Sequence, residues 1–127
     1  MNPKFYICNH CGNIITYIKN NDVQVTCCGE KVQELTPNTK DAATEKHLPV
    51  VSQEGNTVSV KVGDIFHPMT EEHSIQWICI QTTKGIQIKY LEPGDLPEIN
   101  FMLCEDEILV SVFAYCNLHG LWKTNLK

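Results

Sequence analysis

The chain has 127 residues, 43% of them hydrophobic, and a formal net charge of -5, enough for one ordinary core or for a modest core with a very small appended module. All ten basic residues are lysines, so the planar guanidinium fork that suits phosphate and base recognition is absent and nucleic acid is not an expected partner. No apolar run reaches the ~18 residues needed to span a bilayer, and Met1-Asn2-Pro3-Lys4 leads into too short an apolar stretch for a secretory signal, so a cytoplasmic location without a membrane partner is expected.

Seven cysteines are an odd number, which a disulfide scaffold cannot fully pair, and metal ligation explains at least some of them better. Four lie near the N-terminus, as Cys8-Asn9-His10-Cys11 and Cys27-Cys28. Between them, residues 13–18 and 23–26 read as short strands joined by the turn-forming Asn20-Asn21-Asp22, a hairpin predicted to bring the two cysteine pairs together. A module this small cannot offset its ordering entropy by burial alone, so a metal at a tetrahedral four-sulfur site is expected to hold it folded. Iron and zinc both accept four thiolates, and the spacing does not choose between them. A strained vicinal disulfide between Cys27 and Cys28, or four buried free thiols, are weaker alternatives. His10 is expected as an exposed turn residue rather than a fifth ligand.

Residues 37–44 are polar, carry no strand pattern and read as a linker, which divides the chain into domains at 1–36 and 45–127. Beyond the linker, strand-like runs cover 48–52, 57–62, 75–82, 86–91, 99–103 and 108–115. Glu54-Gly55-Asn56, Lys84-Gly85 and Pro93-Gly94-Asp95 supply turns between them. Six or seven short strands without a helical period predict an all-β chain whose larger part is an antiparallel sandwich. Cys79 and Cys104 lie in or at the end of apolar runs and read as small core residues, and Glu105-Asp106-Glu107 reads as a solvated turn.

Four histidines fall in the loops or strand ends of this sandwich: His47, His67, His73 and His119. The stretch Tyr115-Cys116-Asn117-Leu118-His119-Gly120 adds a sulfur close to the last of them. A single histidine near a strand end is commonly a surface residue, but four with a nearby cysteine, on loops that one end of a rigid sandwich brings together, predict one metal site of four imidazoles and one sulfur. Trp77 and Trp122 flank these segments and are expected to wall the site or fill the core.

Taken in order, Cys8, Cys11, Cys27 and Cys28, then Glu45-Lys46-His47-Leu48-Pro49-Val50, His67-Pro68-Met69, Glu72-His73-Ser74-Ile75-Gln76-Trp77-Ile78 and Cys116-Asn117-Leu118-His119-Gly120-Leu121-Trp122, resemble the desulfoferrodoxin family of superoxide reductases over the whole chain. The resemblance implies a desulforedoxin-like module with iron on the four cysteines, followed by an immunoglobulin-like sandwich holding a mononuclear non-haem iron. In that second site His47, His67, His73 and His119 would be equatorial and Cys116 axial, leaving a sixth position for superoxide. The implied reaction is one-electron reduction of superoxide to hydrogen peroxide, with iron cycling between Fe(2+) and Fe(3+). Lys46 would steer the anion toward an acidic protein, and Glu45 would ligate the ferric iron once peroxide leaves. A small donor such as rubredoxin, a homodimer, and superoxide detoxification in an anaerobe or microaerophile are also implied. Two rival readings are an electron carrier with two closed iron sites, and a zinc-ribbon-like module fused to a partner-binding sandwich.

Overall fold

The computed structural model describes residues 2–40, 44–63 and 66–126, and the chain divides into two units, Met1–Thr36 and Pro37–Lys127. The chain is all-β apart from a single four-residue helix among the described residues, and among these residues no helix is long and apolar enough to cross a membrane.

In the first unit, β1 (Phe5–Ile7) is the centre of a three-stranded sheet, flanked by β2 (Ile14–Thr16) and β5 (Gln33–Glu34), while β3 (Thr26–Cys27) and β4 (Glu30–Lys31) form a separate small ladder. The predicted hairpin between residues 13–18 and 23–26 does not form: β2 pairs with β1 instead. The reason is local. The first cysteine loop folds back on itself through Cys8 N–H to Asn13 O and Gly12 N–H to Cys8 O, both 2.9 Å, which lays β2 on the strand before it. The later segment touches β2's continuation by one bond, from Val25 N–H to the Tyr17 hydroxyl at 3.1 Å. Phe5, Tyr6, Cys8 and Val32 are the buried apolar residues of this unit.

The second unit opens with α1 (Thr44–His47) and continues through β6 (Pro49–Glu54), β7 (Thr57–Val62), β8 (Ile75–Thr82), β9 (Gly85–Tyr90), β10 (Glu98–Met102), β11 (Leu109–Cys116) and β12 (Gly120–Asn125). One sheet has the order β10-β7-β6 and the other β12-β11-β8-β9, all antiparallel. Alternation explains the packing. Val58, Val60 and Val62 of β7 and Phe101 of β10 face Ile78 and Ile80 of β8 and Val112 and Ala114 of β11 in one core. Three strands packed on four make an immunoglobulin-like sandwich. Irregularities in the β8–β11 ladder flip side-chain parity at both ends, so Leu109 and Val112, and likewise Ile75 and Ile78, reach the same core although three residues apart.

Side chains tie the two sheets together along their edges. Thr124 Oγ1 donates to Pro49 O at 2.7 Å, while Lys89 Nζ and Gln87 Nε2 donate to Asn100 O and Met102 O at 2.6 and 3.0 Å. These bonds occupy backbone acceptors that an open edge would otherwise offer to another strand.

Three local expectations are revised. β12 lies beyond the last strand-like run of the sequence. Cys104 is exposed rather than in the core, because Leu103 takes the inward position and the chain turns immediately after it. Glu107 is not simply solvated: it accepts from Cys104 N–H at 2.9 Å and from the Thr82 hydroxyl at 2.7 Å, closing that turn. Cys79 is fully buried as expected, and burial pushes its thiol up to about 12.

Candidate metal centres

Two groups of side chains among the described residues converge as a metal site would require: Cys8, Cys11, Cys27 and Cys28 in the first unit, and His47, His67, His73, Cys116 and His119 in the second. In each group the candidate donor atoms all lie within 4.8 Å of one another.

The cysteine group is built from two tight loops. Cys28 and Gly29 both have left-handed backbone, at φ 53° and 80°, and this reversal is what lets adjacent cysteines face one point; for a non-glycine residue such a conformation costs on the order of 1 kcal/mol and more. Cys11 Sγ lies 3.6 Å from Cys27 Sγ, and Asn13 Nδ2 points at Cys27 Sγ from 3.8 Å. Backbone N–H groups of Cys11 and His10 hold the Cys8 thiol down to about 6, whereas its sulfur neighbours push Cys28 up to about 12. Four sulfurs this close share their protons unequally, as a thiolate set does before a cation neutralises it. His10 is exposed and pairs with Glu30, and Asn9 Nδ2 donates to Gln33 Oε1 at 2.8 Å, so these contacts tie the first cysteine loop to β4 and β5 outside the sulfurs.

The second group sits where the sandwich strands begin or end on one side. His47 closes α1 just before β6, His67 lies between β7 and β8, His73 stands two residues before β8, Cys116 ends β11 and His119 leads into β12. Antiparallel pairing puts these ends together: Pro49 is opposite Val62, and Cys116 is opposite both Ile75 and Gly120. Gly120 has φ 80°, and a Cβ there would meet Lys40 Cγ at 3.2 Å, so glycine suits the turn on both counts.

The four imidazoles form a ring. Successive centroid distances are 4.6 Å from His47 to His67, 4.5 Å to His73, 5.0 Å to His119 and 4.9 Å back to His47, each pair close to perpendicular. Across the ring, His47 and His73 are 6.4 Å apart. His67 Nδ1 is held by Pro68 O at 2.7 Å, which fixes the ring with Nε2 turned away from that bond. The Nε2 atoms of His67 and His73 are buried without a hydrogen-bond partner. His47 Nε2 and His119 Nδ1 face each other at 3.1 Å, a contact that neutral rings satisfy only when one lends a proton. Cys116 Sγ is 3.9 Å from His119 Nδ1 and accepts from His119 N–H at 3.4 Å.

Burial acts on both ligand types. It pushes the His67 imidazole down to about 4 and, with His119, His47 and Lys46, lowers His73, so these rings are neutral with lone pairs available. Burial raises the Cys116 thiol, partly opposed by the N–H groups of His119 and Leu118. Orphaned buried nitrogens, a buried sulfur and two ring nitrogens forced together are what a bound cation would resolve, and nitrogen with one thiolate suits iron. The residues present therefore fit a metal.

Lys46 is exposed, and its charge reaches His73. The side chain of Glu45 lies outside the described residues. Of the two tryptophans, Trp122 serves the ring of imidazoles: it stacks on His47 at 4.9 Å and donates Nε1–H to His119 O at 3.1 Å. Trp77 stacks on Tyr115 at 5.5 Å, on the sheet face opposite the core. Asn117 and Thr70, which the sequence did not single out, bracket His73 through hydrogen bonds. Asn117 acts across the chain, where no spacing rule reaches, whereas Thr70 lies three residues before His73, a local hydroxyl-to-backbone turn that the sequence could have offered.

Residues 39–125 match the family profile Desulfoferrodoxin. A desulfoferrodoxin homolog of Archaeoglobus fulgidus is 43% identical, and the desulfoferrodoxin of Nitratidesulfovibrio vulgaris 40% identical, each alignment covering 94% of both chains. Among solved structures, the superoxide reductase from Treponema pallidum superposes with a TM-score of 0.84 at 38% identity, covering 98% of this chain and all of that one. The one-iron superoxide reductase from Giardia intestinalis has a TM-score of 0.56 at 31% identity, covering 65% of this chain and 98% of its own. Since the likeness extends through both units at such identities, this chain belongs to the desulfoferrodoxin family.

Proposed function

We propose that the protein is a superoxide reductase, and the observation that carries this reading is the ring of four imidazoles with Cys116 beside it, two of whose nitrogens are buried without any partner. His47, His67, His73, Cys116 and His119 would hold one iron and Cys8, Cys11, Cys27 and Cys28 a second. Iron held by these five mixed donors would supply a single electron which, with two protons, would convert superoxide into hydrogen peroxide. Five protein donors leave a six-coordinate metal one position short, and that shortfall favours a reactive centre over a closed electron carrier.

The chain's own residues prepare the site. Neutral imidazoles and an anionic sulfur keep the donor set at one negative charge, and the N–H groups of Leu118 and His119 steady that charge on Cys116. Lys46 lies in the last turn of α1 beside His47, and its positive charge would draw an anion toward a chain of net charge -5. Glu45 is assigned to the ferric state as a carboxylate ligand; an oxidised spectrum unchanged in Glu45→Ala removes that role. Residues 1–36 act as a separate metal-stabilised domain and 45–127 as the catalytic one. A small redox protein such as rubredoxin as donor, a homodimer and a cytoplasmic setting complete the reading.

Pulse radiolysis of the reduced, iron-loaded protein tests it. Superoxide should bleach or shift the second centre's absorption at about 10⁸–10⁹ M⁻¹s⁻¹, near the diffusional ceiling, with peroxide formed and no oxygen released. No reaction with superoxide, or oxygen released alongside peroxide, overturns the reading.

A further inference from the structure

The β8–β11 ladder keeps regular register from Ser111 opposite Gln81 to Tyr115 opposite Trp77, then slips so that Cys116 is opposite Ile75. The Cys116–Ile75 pair is the last of that ladder, so no further strand pair reaches the His73 turn from the Cys116–His119 turn. Asn117 makes that link. Its backbone N–H donates to Ser74 O at 3.2 Å. Its carboxamide then presents one acceptor and one donor, as a peptide group would: Ser74 N–H donates to Oδ1 at 3.0 Å, and Nδ2 donates to Glu72 O at 2.9 Å. The residues so gripped are the immediate neighbours of His73 on either side.

His73 depends on that grip. Its Nε2 has no protein partner, and its backbone is otherwise held by Thr70, which accepts from His73 N–H at Oγ1 (3.1 Å) and donates to His73 O from its own N–H (2.9 Å). Thr70 belongs to the same turn and cannot fix where the turn stands. His67, by contrast, is locked by Pro68 O, and His47 and His119 are both steadied by Trp122.

We propose that Asn117 is a positioning residue of the four-histidine centre, its carboxamide setting the place of His73 relative to Cys116 and His119. The inference rests on the reading of those five residues as an iron centre. Removing the tie should loosen one ligand of five while leaving the fold and the cysteine centre intact.

Asn38 provides a matched control. Its carboxamide makes the same paired clasp on β12, with Nδ2 to Lys123 O at 3.1 Å and Lys123 N–H to Oδ1 at 2.8 Å, on residues that ligate nothing. The test uses the iron-loaded full chain as wild type, Asn117→Ala, Asn117→Asp and Asn38→Ala. Excess EDTA is added and the loss of each centre's absorption is followed separately, together with the position of the thiolate-to-iron band. Asn117→Asp keeps the acceptor for Ser74 N–H but sets an oxygen against Glu72 O, so it tests the tie without a cavity if the alanine variant fails to fold.

Both Asn117 variants should release iron from the four-histidine centre about 10- to 100-fold faster than wild type, the range typical of groups that orient a metal ligand. Release from the cysteine centre should be unchanged and the thiolate band displaced. Asn38→Ala should melt earlier while keeping both release rates and the band. Wild-type release with an unmoved band in Asn117→Asp overturns the proposal, and so does acceleration in Asn38→Ala equal to that of the Asn117 variants. A wild-type chain that binds no iron on the five residues overturns the functional reading, and this inference with it.

Discussion

Stripping the metal from the four-histidine centre should lower the melting temperature of the sandwich by about 8 °C or more. Without a cation, His67 Nε2 and His73 Nε2 are left buried with no partner. A buried polar group in that state costs about 1–3 kcal/mol, so the two together cost about 2–6 kcal/mol. For a domain of roughly this size, 1 kcal/mol moves the midpoint by about 4–8 °C, which makes ~8 °C the lower bound. Cys116 adds to the effect, because burial raises its thiol and the sulfur takes up a proton when the metal leaves.

Both tryptophans of the chain, Trp77 and Trp122, lie in the second unit, so tryptophan fluorescence during an anaerobic thermal scan reads that unit alone, before and after chelation. A second variant separates orphaned nitrogens from lost metal binding. His67→Leu with His73→Leu binds no metal there, yet it should melt above the chelated wild type, because apolar side chains replace groups that burial penalises. Metal-free and loaded proteins melting within ~2 °C of each other would refute this reasoning about the cost of a lone buried donor. So would a double-leucine variant less stable than the chelated wild type.

Lys46→Ala should slow the reaction with superoxide by about 10-fold at low ionic strength and flatten its salt dependence, as measured by pulse radiolysis at two salt concentrations. Trp122→Phe keeps a ring against His47 but loses the bond to His119 O, at a cost of about 1 kcal/mol, whereas Trp122→Ala should cost about 3–5 kcal/mol; urea midpoints distinguish the two. Glu107 is held below its usual 4.5 by Cys104 N–H and the Thr82 hydroxyl. A depressed carboxyl stabilises the fold above its unfolded value and loses that contribution as pH falls through the folded value. The urea midpoint of wild type should therefore exceed that of Glu107→Gln at about pH 7 and lose that advantage progressively as the pH falls below the usual carboxylate range.

Strong local patterns made much of the sandwich readable in advance. β7 alternates Val58, Val60 and Val62 inward without interruption, and β8 and β11 are long and rich in β-branched and aromatic residues, so their periods are plain. β12 has no such pattern: it begins inside the ligand turn and ends in Lys123, Thr124 and Asn125, and pairing with β11 alone makes it a strand. Strand propensity names the wrong partner for β2 because the cysteine loop's own hydrogen bonds decide what it lies beside. Donor residues are legible from type and order, since few chemistries need both an imidazole set and a nearby thiolate. Asn117 and Trp122 are of ordinary types, and the relation of Asn117 to the His73 turn and of Trp122 to His47 exists only once distant turns have met.

The two donor sets differ in how they relate to folding. Cys8 to Cys28 lie close together in a unit whose buried apolar residues are few, so closing their loops costs little entropy and the metal stands in for a core. His47 and His119 are separated by 72 residues and meet only after the sandwich has closed around Val60, Phe101 and Val112. A core of that kind folds without a metal, and the imidazole ring is then assembled at strand ends whose positions the sheets already dictate. Chelation should accordingly unfold the first unit outright and merely lower the melting point of the second. Loss of far-UV signal from the first unit, with the tryptophan fluorescence of the second still native at 25 °C, is the expected result. Simultaneous loss of both would mean that the sandwich, too, depends on metal to fold.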